Sequence, residues 1–314
     1  MNRIETACDD SLTRSAGEIP GTAGVAAFTL RKRRPQPIPV LIAVPHAGRH
    51  YPADLLAKLR HPAEAAKRLE DRYVDLIADA VARETGAALL KAHAPRAMID
   101  LNRSPDDMDW EMVRGGSGAM RGKLAAGRRS RSGLGLVPRR LQGLGELWTG
   151  QLSRAELAAR IASVHVPYHA ALAKTLEGMR DRWGAALLID LHSMPPLGPK
   201  TGADAAVDFV IGDRFGAACD ARLAMAALDL FDAGGIRCAH NRPYAGGYVL
   251  DRHGAPARNI SAIQLEICRA IYLDPALREP GKGLGRVASI VVDLVRRLAD
   301  EMAGASGGVA QAAE

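Results

Sequence analysis

The sequence predicts an α/β fold in which buried strands alternate with amphipathic helices around an open sheet. Its clearest strand covers residues 186–193, an apolar run bounded by Gly184 and Pro195 that ends in a carboxylate, an imidazole and a hydroxyl. Such a run is typical of a strand buried on both faces of a sheet. Between residues 40 and 101 a strand, a helix and further strands follow one another, which is the βαβ pattern of this fold class.

Length, composition and charge exclude several classes of protein. The chain has 314 residues, of which 47% are hydrophobic, so it can bury a substantial core. Its formal net charge is +7, but the basic runs at 31–34 and 114–140 contain no aromatic residues. Because aromatic stacking usually accompanies charge in single-stranded nucleic-acid binding, we expect no nucleic-acid partner. The charge fits a small anionic substrate or solvated loops.

The cysteines and the hydropathy profile predict a cytoplasmic protein. The four cysteines show no Cys-x-x-Cys spacing, which favours reduced thiols in packing roles. No run approaches the roughly 20 apolar residues of a membrane span, and the N-terminus lacks the apolar segment of a signal peptide. We therefore expect no membrane partner.

The chain divides into a leader, one domain and a tail. Residues 1–35 are rich in small and polar residues, so we expect a disordered leader there. Residues 36–303 are predicted to form a single domain and residues 304–314 a flexible tail. Residues 104–150 lose all periodicity and are expected to form a long loop or insert. Within it, Arg128–Gly135 is either a flap that faces an anion or a solvated loop.

Hydrophobic periodicity places the remaining elements along this domain. Besides the central strand, strands are predicted at 40–44, 87–90, 97–101, 206–211 and 261–268. Helices are predicted at 53–59, 64–85, 153–179, 217–232 and 284–302. Ser153 and Glu156 have capping-box spacing at the start of the third helix, which Pro167 should kink or break. Residues 241–254 are expected to form a Gly- and Tyr-rich loop.

Four predicted strands carry polar side chains that a buried sheet does not need. His46 follows the strand 40–44, and Asp190 and His192 lie near the end of the central strand. Asp100, Asn102 and Arg103 lie at the end of the strand 97–101, and Glu266 lies late in the strand 261–268. Ligands bind at the carboxyl ends of strands in open α/β sheets. Two histidines and a carboxylate are the ligand set of a catalytic zinc, although buried, hydrogen-bonded histidines would give the same pattern. A further carboxylate would act as general base, and an arginine would hold a substrate carboxylate.

Four motifs resemble the N-formylglutamate amidohydrolase family, and they occur in the order expected for it. They are Pro45–Pro52, Arg96–Arg103, Asp190–Ser193 and Pro243–Tyr248. A Gly-Leu-Gly-x-x-Pro-Arg stretch at 133–139 also matches, and the similarity extends from about residue 38 to 295. Each motif alone is weak, but the combination is specific.

The resemblance implies both a fold and a reaction. The family is similar to the zinc carboxypeptidase and aspartoacylase fold, which implies a mixed central sheet flanked by helices. It implies hydrolysis of N-formyl-L-glutamate to formate and glutamate in histidine degradation. The expected partner is therefore a small anionic N-acyl amino acid, and the expected cofactor is one Zn²⁺ ion per chain.

The resemblance makes His46 and His192 metal ligands. Zinc carboxypeptidases have a glutamate three residues after the first histidine, but here Arg49 occupies that position. The third ligand is therefore expected elsewhere. Asp71 is the first choice because its acidic segment resembles that of the family, and Glu70 is the alternative. An acid early in a helix is also favoured by the helix dipole alone.

The resemblance also implies roles for other polar residues. Glu266 resembles the general base, and Arg252 would polarise the formyl oxygen or hold a second carboxylate. Substrate binding is implied for Asn102, Arg103, Arg96 and Arg139, and orientation of the metal ligands for Asp190 and Asp100. Three further histidines, His165, His169 and His253, either line the pocket or pack against neighbouring helices.

Three other functions remain open at the level of sequence. Asp251 and the basic insert depart from the family where substrate should be selected, so a related metallo-carboxypeptidase or deacylase of other specificity is one alternative. A non-catalytic protein on the same fold could use the Arg-rich insert to hold an anion. A serine hydrolase would use Ser193, but the Gly-x-Ser-x-Gly motif is missing.

Overall fold

An eight-stranded mixed sheet forms the centre of the structure, a computed structural model that describes residues 11–116, 132–202 and 205–311, with side chains through residue 304. The strands are β1 (Ser11–Ala16), β2 (Phe28–Arg33), β3 (Val40–Val44), β4 (Ala88–Ala92), β5 (Arg140–Leu141), β6 (Gly145–Glu146), β7 (Ala186–Met194), β8 (Phe209–Gly212), β9 (Cys238–His240) and β10 (Ile260–Cys268). The order across the sheet is β1-β2-β4-β3-β7-β10-β8-β9, and β5 pairs only with β6.

The sheet contains parallel and antiparallel pairs. Strands β4, β3, β7 and β10 run parallel to one another, as do β8 and β9. The pairs β1–β2, β2–β4 and β10–β8 are antiparallel. The predicted α/β fold with a mixed central sheet is therefore confirmed.

Helices cover both faces of the sheet. They are α1 (Ala53–Ala57), α2 (Pro62–Leu69), α3 (Val74–Thr85), α4 (Arg154–Arg160), α5 (Val166–Trp183), α6 (Ala221–Ala233), α7 (Tyr248–His253) and α8 (Leu284–Gln311). Apolar side chains of α3, α6 and α8 pack on one face. Those of α4, α5 and α7 pack on the other. None of the described helices combines the length and the hydropathy needed to cross a bilayer.

The predicted disordered leader is wrong for the described part of residues 1–35, because β1 and β2 extend the sheet beyond β4. Phe28 begins β2 and is buried with its ring edge against Tyr168, at 5.5 Å between centroids. Strand β1 is almost wholly exposed, so it lacks the hydrophobic alternation that identifies a half-buried strand. The predicted domain boundary at residue 36 is wrong for the same reason. Residues 1–10 lie outside the described residues.

The predicted helix 64–85 is broken between α2 and α3. Residues 70–73 are non-helical, and Tyr73 has a left-handed backbone with φ of 57°. The backbone N–H of Asp71 donates to the carbonyl oxygen of His46 at 3.0 Å. The break thus attaches Asp71 to the residue that follows β3, and Asp71 does not lie in a helix as predicted.

The predicted strand 97–101 is also wrong. The Met98 N–H donates to the carbonyl of Pro95 at 2.8 Å, which closes a turn, and Asp100 N–H donates to Leu136 O at 2.7 Å. This segment therefore runs beside the end of the sheet and not within it. We call residues 96–103 the turn segment.

Three further elements differ from their predicted bounds. Pro167 does not break the third predicted helix: a wider turn at Ile161–His165 links α4 to α5, and Pro167 stands in the first turn of α5. The capping box of Ser153 and Glu156 is present.

The predicted loop 241–254 contains α7, and α8 continues to Gln311 through most of the predicted flexible tail. Residues 128–131 of the proposed flap lie outside the described residues.

Candidate active site

The site lies at the carboxyl ends of three neighbouring parallel strands. His46 follows β3, His192 lies in β7, and Glu266 of β10 stands in register with His192. A cavity of about 580 Å³ opens over these strand ends. Because alternate residues of a strand point to opposite faces and parallel strands end at one edge, the topology itself brings these three side chains together.

Three ligand atoms converge at the base of the cavity. The Nδ1 atoms of His46 and His192 are 3.1 Å apart. Asp71 Oδ2 lies 3.3 Å from the first nitrogen and 3.0 Å from the second. All three residues are buried, and they form the only metal-type cluster found among the residues that the structure describes. The structure thus brings Asp71 to the two histidines.

A buried carboxylate holds each imidazole by its other nitrogen. His46 Nε2 lies 2.7 Å from Asp100 Oδ1, and His192 Nε2 lies 2.8 Å from Asp190 Oδ2. An ionised carboxylate only accepts hydrogen bonds, so each Nε2 carries a proton, and a ring in its neutral form keeps a lone pair on Nδ1. Carboxylates in this position fix the tautomer of a metal-binding histidine. Asp190 and Asp100 therefore lie where orientation of the metal ligands requires them.

The donor set fits a metal ion such as zinc. Two imidazole lone pairs and one carboxylate oxygen face one another at 3.0–3.3 Å, an arrangement that repels unless a cation or a proton lies between them. A tetrahedral zinc with bonds of about 2.0–2.1 Å places its ligand atoms about 3.3 Å apart. The second-choice ligand, Glu70, is directed elsewhere, because its Oε2 pairs with Arg72 Nη1 at 3.1 Å.

Asp71 is held by its other oxygen. The Ser193 hydroxyl donates to Asp71 Oδ1 at 3.1 Å, and Arg269 Nη2 lies 3.3 Å from the same oxygen. Arg269 also donates to Ser193 Oγ and to the carbonyl oxygens of Lys67 and Glu70. The sequence analysis missed Arg269, although its position directly after β10 was the available signal. It anchors the non-helical residues that carry Asp71.

The carboxyl groups of the site fall into two kinds, those whose pKa is lowered and one whose pKa is raised. Burial alone would raise the pKa of Asp71, but its close contacts with the imidazoles of His192 and His46 hold it well below its ordinary value. Burial would likewise raise the pKa of Asp100, but Arg96 and His46 lower it. For Glu266 the charges of His192 and Arg96 offset burial only in part, and its pKa is raised to about 7. A group with that pKa can both take and give a proton at neutral pH.

Two of the predicted substrate-binding residues line the cavity from the turn segment. Asn102 Nδ2 donates to Gln264 Oε1 at 3.3 Å, and Val249 N–H donates to Asn102 Oδ1 at 3.0 Å. Arg103 donates to the carbonyl oxygens of Leu134 and Asn102. Both side chains are therefore held in place by hydrogen bonds to other residues of the protein.

Two further arginines face the cavity. Arg96 uses Nε to hold Asp100 at 2.9 Å, and its terminal amino groups have no other hydrogen bond among the described residues. Arg68 of α2, which the sequence analysis missed, is exposed at the rim and donates to Gln142 O. A helix position without a motif gives no sequence signal for such a role.

Two predicted residues are not brought to the cavity. Arg139 is paired with Asp109, Glu111 and Glu146, so its charge is already balanced. Arg252 is exposed on α7, where it donates to the hydroxyl of Tyr248 at 2.8 Å. The three extra histidines, His165, His169 and His253, are buried behind the turn segment and do not line the cavity either.

Comparisons with known proteins agree with this arrangement. A family model described as N-formylglutamate amidohydrolase matches residues 38–273. N-formylglutamate deformylase of Pseudomonas aeruginosa is 31% identical over 243 residues, which are 76% of this chain and 83% of that protein. The enzyme of the same name from Pseudomonas putida is 31% identical over 242 residues, covering 76% and 82%.

A solved structure extends the likeness to three dimensions. The crystal structure of N-formylglutamate amidohydrolase from Ralstonia eutropha JMP134 matches with a TM-score of 0.75 and 32% identity. The match covers 92% of this chain and all of that one.

Proposed function

Since the chain belongs to the N-formylglutamate amidohydrolase family and is an amidohydrolase, we propose that it is a zinc-dependent enzyme that hydrolyses N-formyl-L-glutamate to formate and glutamate. The observation that carries the proposal is the convergence of three lone-pair donors beside a buried carboxyl group in one cavity. The activity for which the two Pseudomonas relatives are named supplies the substrate.

In this proposal His46, Asp71 and His192 hold one zinc ion. A zinc ion at such a site supplies Lewis acidity, which acidifies water and polarises a carbonyl group. Asp100 and Asp190 keep both imidazole rings in the tautomer that presents Nδ1.

Glu266 is the proton carrier in the proposed mechanism. It takes a proton from the attacking water, whose oxygen joins the formyl carbon, and gives that proton to the nitrogen as the amide bond breaks. Its pKa of about 7 suits both steps, because a base and an acid are needed in turn at one pH. Gln264 Nε2 donates to Glu266 Oε1 at 2.9 Å and keeps the carboxyl group beside His192.

The arginines of the cavity account for an acidic substrate. Arg96 has terminal amino groups that face the cavity, and Arg103 and Arg68 lie farther toward the rim. A guanidinium group matches a carboxylate with two parallel hydrogen bonds. Glutamate offers two carboxylates, so the proposal assigns the substrate carboxylates to these three side chains.

Metal content and formate release, measured together, test this function. Mass spectrometry of purified wild-type protein should find about one zinc per chain, and the His192→Ala variant should contain almost none. Wild type should release formate from N-formyl-L-glutamate, and the variant should not. The matched control is His93→Ala, which removes a half-buried histidine outside the cavity and should change neither result.

The alternatives predict different results. Release of acetate or succinate from other N-acyl amino acids, without formate release, would replace the proposed substrate and keep the enzyme class. Protein free of metal after purification without chelators, and inactive with added zinc, would contradict the zinc-dependent mechanism. A role in histidine degradation and a cytoplasmic location stay predictions.

A further inference from the structure

Three buried histidines form a connected group behind the turn segment. The rings of His165 and His169 are 4.3 Å apart, and those of His169 and His253 are stacked at 5.2 Å. All three are buried, and none lines the cavity. His165 and His169 belong to the wide turn and to α5, whereas His253 ends α7. We call these three residues the histidine brace.

The brace is bonded to the backbone of the turn segment. His169 Nε2 lies 3.0 Å from the carbonyl oxygen of Leu101, and His165 Nε2 lies 2.9 Å from that of Arg103. A carbonyl oxygen only accepts, so each Nε2 carries a proton. His169 Nδ1 must then accept, and His253 Nε2 donates to it at 2.9 Å. The chain of donors therefore runs in one direction, toward the turn segment.

All three imidazoles are neutral at physiological pH. Burial lowers the pKa of His169 to about 2 and that of His253 to about 4. Burial also lowers the pKa of His165. A neutral imidazole has one donor and one acceptor. His169 uses both, because it accepts from His253 and donates to Leu101 O.

The turn segment needs such support because it does not belong to the sheet. Residues 96–103 have no strand partner among the described residues, and their backbone is held by a few isolated bonds. Asn102 is supported from the cavity side by Val249 N–H, and Gly247 approaches so closely that a Cβ there would be 2.5 Å from Asn102 Oδ1. The brace contacts the backbone at the residues before and after Asn102, namely Leu101 and Arg103.

We propose that His169, backed by His165 and His253, is a positioning residue that sets Asn102 and Arg103 for substrate binding. The inference rests on the proposed function in assigning these two side chains to the substrate. The effect on the backbone does not depend on that assignment. Without the hydrogen bond from His169 to Leu101 O, the backbone of the turn segment loses its fixed position.

Three variants test the brace. His169→Leu removes both hydrogen bonds at similar volume, and His169→Gln keeps an amide N–H near the position of Nε2. Thr175→Val is the matched control, because Thr175 is also buried on α5 but bonds only to its own helix at Ala171 O. Amide hydrogen exchange of a peptide covering residues 99–104 is measured in each protein, together with kcat, KM and zinc content.

The brace predicts a specific pattern. His169→Leu should exchange the 99–104 amides about tenfold faster or more, and should raise KM about tenfold while kcat stays within about twofold and zinc content is unchanged. His169→Gln should restore most of the protection and of KM. Thr175→Val should match wild type in amide exchange and in KM.

Unchanged exchange in His169→Leu would overturn the proposal, as would an equal rise in KM for Thr175→Val. If wild type itself releases no formate, the proposed function fails, and the exchange measurement alone then decides whether the brace holds the turn segment. If His169→Leu does not fold, His165→Leu takes its place. His165→Leu should then show faster exchange of the 99–104 amides and a higher KM than His169→Gln.

Discussion

At the scale of single residues, the two oxygens of Asp71 have separate partners. Oδ1 receives hydrogen bonds from Ser193 and Arg269, and Oδ2 alone faces the two histidine nitrogens. A carboxylate held in this way presents one oxygen in a fixed direction, which reduces the cost of ordering it when a metal binds.

This division predicts the effect of removing one small group. Ser193→Ala should weaken zinc binding by about 10- to 100-fold, which is the usual effect of losing a partner of a metal ligand. Competition with a fluorescent zinc indicator measures the dissociation constant. The control is Ser261→Ala, since Ser261 is buried near the opposite end of β10, where it accepts a hydrogen bond from Asp220 N–H. Equal affinities for both variants would contradict a role for Ser193 in holding Asp71.

Glu266 gives a second residue-level prediction. Glu266→Gln keeps the side-chain shape but cannot exchange a proton, so kcat should fall by about 10² to 10⁴ while zinc content is unchanged. Because burial raises the pKa of Glu266 to about 7 and the first step needs its ionised form, wild-type kcat/KM should rise as the pH increases through that region. The residual activity of the variant should lack this rise. A pH profile of the same shape in both proteins would exclude Glu266 as the base.

The sequence located some of these residues better than others. His46, His192 and Glu266 could be predicted because each stands out as a polar side chain near the end of an apolar strand. Arg269 offered only a weak signal, its position directly after an apolar strand, and Arg68 offered none, because arginine on a helix is common at any protein surface. Arg139 matched a motif, but it forms ion pairs with Asp109 and Glu111 of one segment and Glu146 of another, and such tertiary pairings cannot be predicted from local sequence.

At the scale of secondary-structure elements, the local signals were reliable and the long-range ones were not. The capping box of α4 depends only on Ser153 and Glu156, so its spacing predicted it correctly. The gap between α2 and α3 was missed because the apolar spacing continues through it. Tertiary bonds, among them those of Asp71 with His46 and Arg269, keep these residues out of a helix. β1 was missed because an exposed edge strand shows no alternation.

The α4 capping box predicts a pH-dependent stability. Glu156 pairs with Lys58 and accepts from Ser153 N–H, and the bond with Lys58 leads in lowering its pKa from 4.5 to about 2. A carboxylate with a depressed pKa stabilises the fold above pH 4.5, and this contribution is lost as the pH falls toward 2. Glu156→Gln keeps the cap geometry but removes the charge.

The free energy of unfolding, measured with urea at several pH values, checks this expectation. Glu156→Gln should cost about 0.5–1 kcal/mol at pH 7, since the ion pair is partly exposed, and the difference should vanish near pH 2. Glu64→Gln is the control, because Glu64 forms an exposed pair with Lys67 on α2 and caps nothing. A constant difference across the pH range would show that the charge of Glu156 is irrelevant to stability.

At the scale of the whole molecule, part of the positive charge lies at the cavity. The net charge of +7 includes many arginines in ion pairs, whereas Arg68 lies exposed at the cavity rim. An exposed charge at the mouth of a cavity attracts an anion over a distance that salt shortens.

Ionic strength should therefore affect turnover through Arg68. Wild-type kcat/KM for a dianionic substrate should fall several-fold between about 10 mM and about 500 mM salt. Arg68→Gln should lower kcat/KM at low salt and flatten this dependence. Arg222→Gln is the control, because Arg222 is an exposed arginine at the start of α6 and pairs with Asp220. An unchanged salt dependence in Arg68→Gln would place the attraction elsewhere.

The ligand cluster also has a thermodynamic consequence for the whole chain. His46 and His192 are 146 residues apart, and Asp71 comes from a third segment, so an unfolded chain cannot gather the three donors. An ion that binds only the native state adds to its stability, by about 2.7 kcal/mol when its free concentration is 100 times the dissociation constant. A strong chelator would then act on this protein as a denaturant, and zinc supply would help to set how much folded enzyme exists.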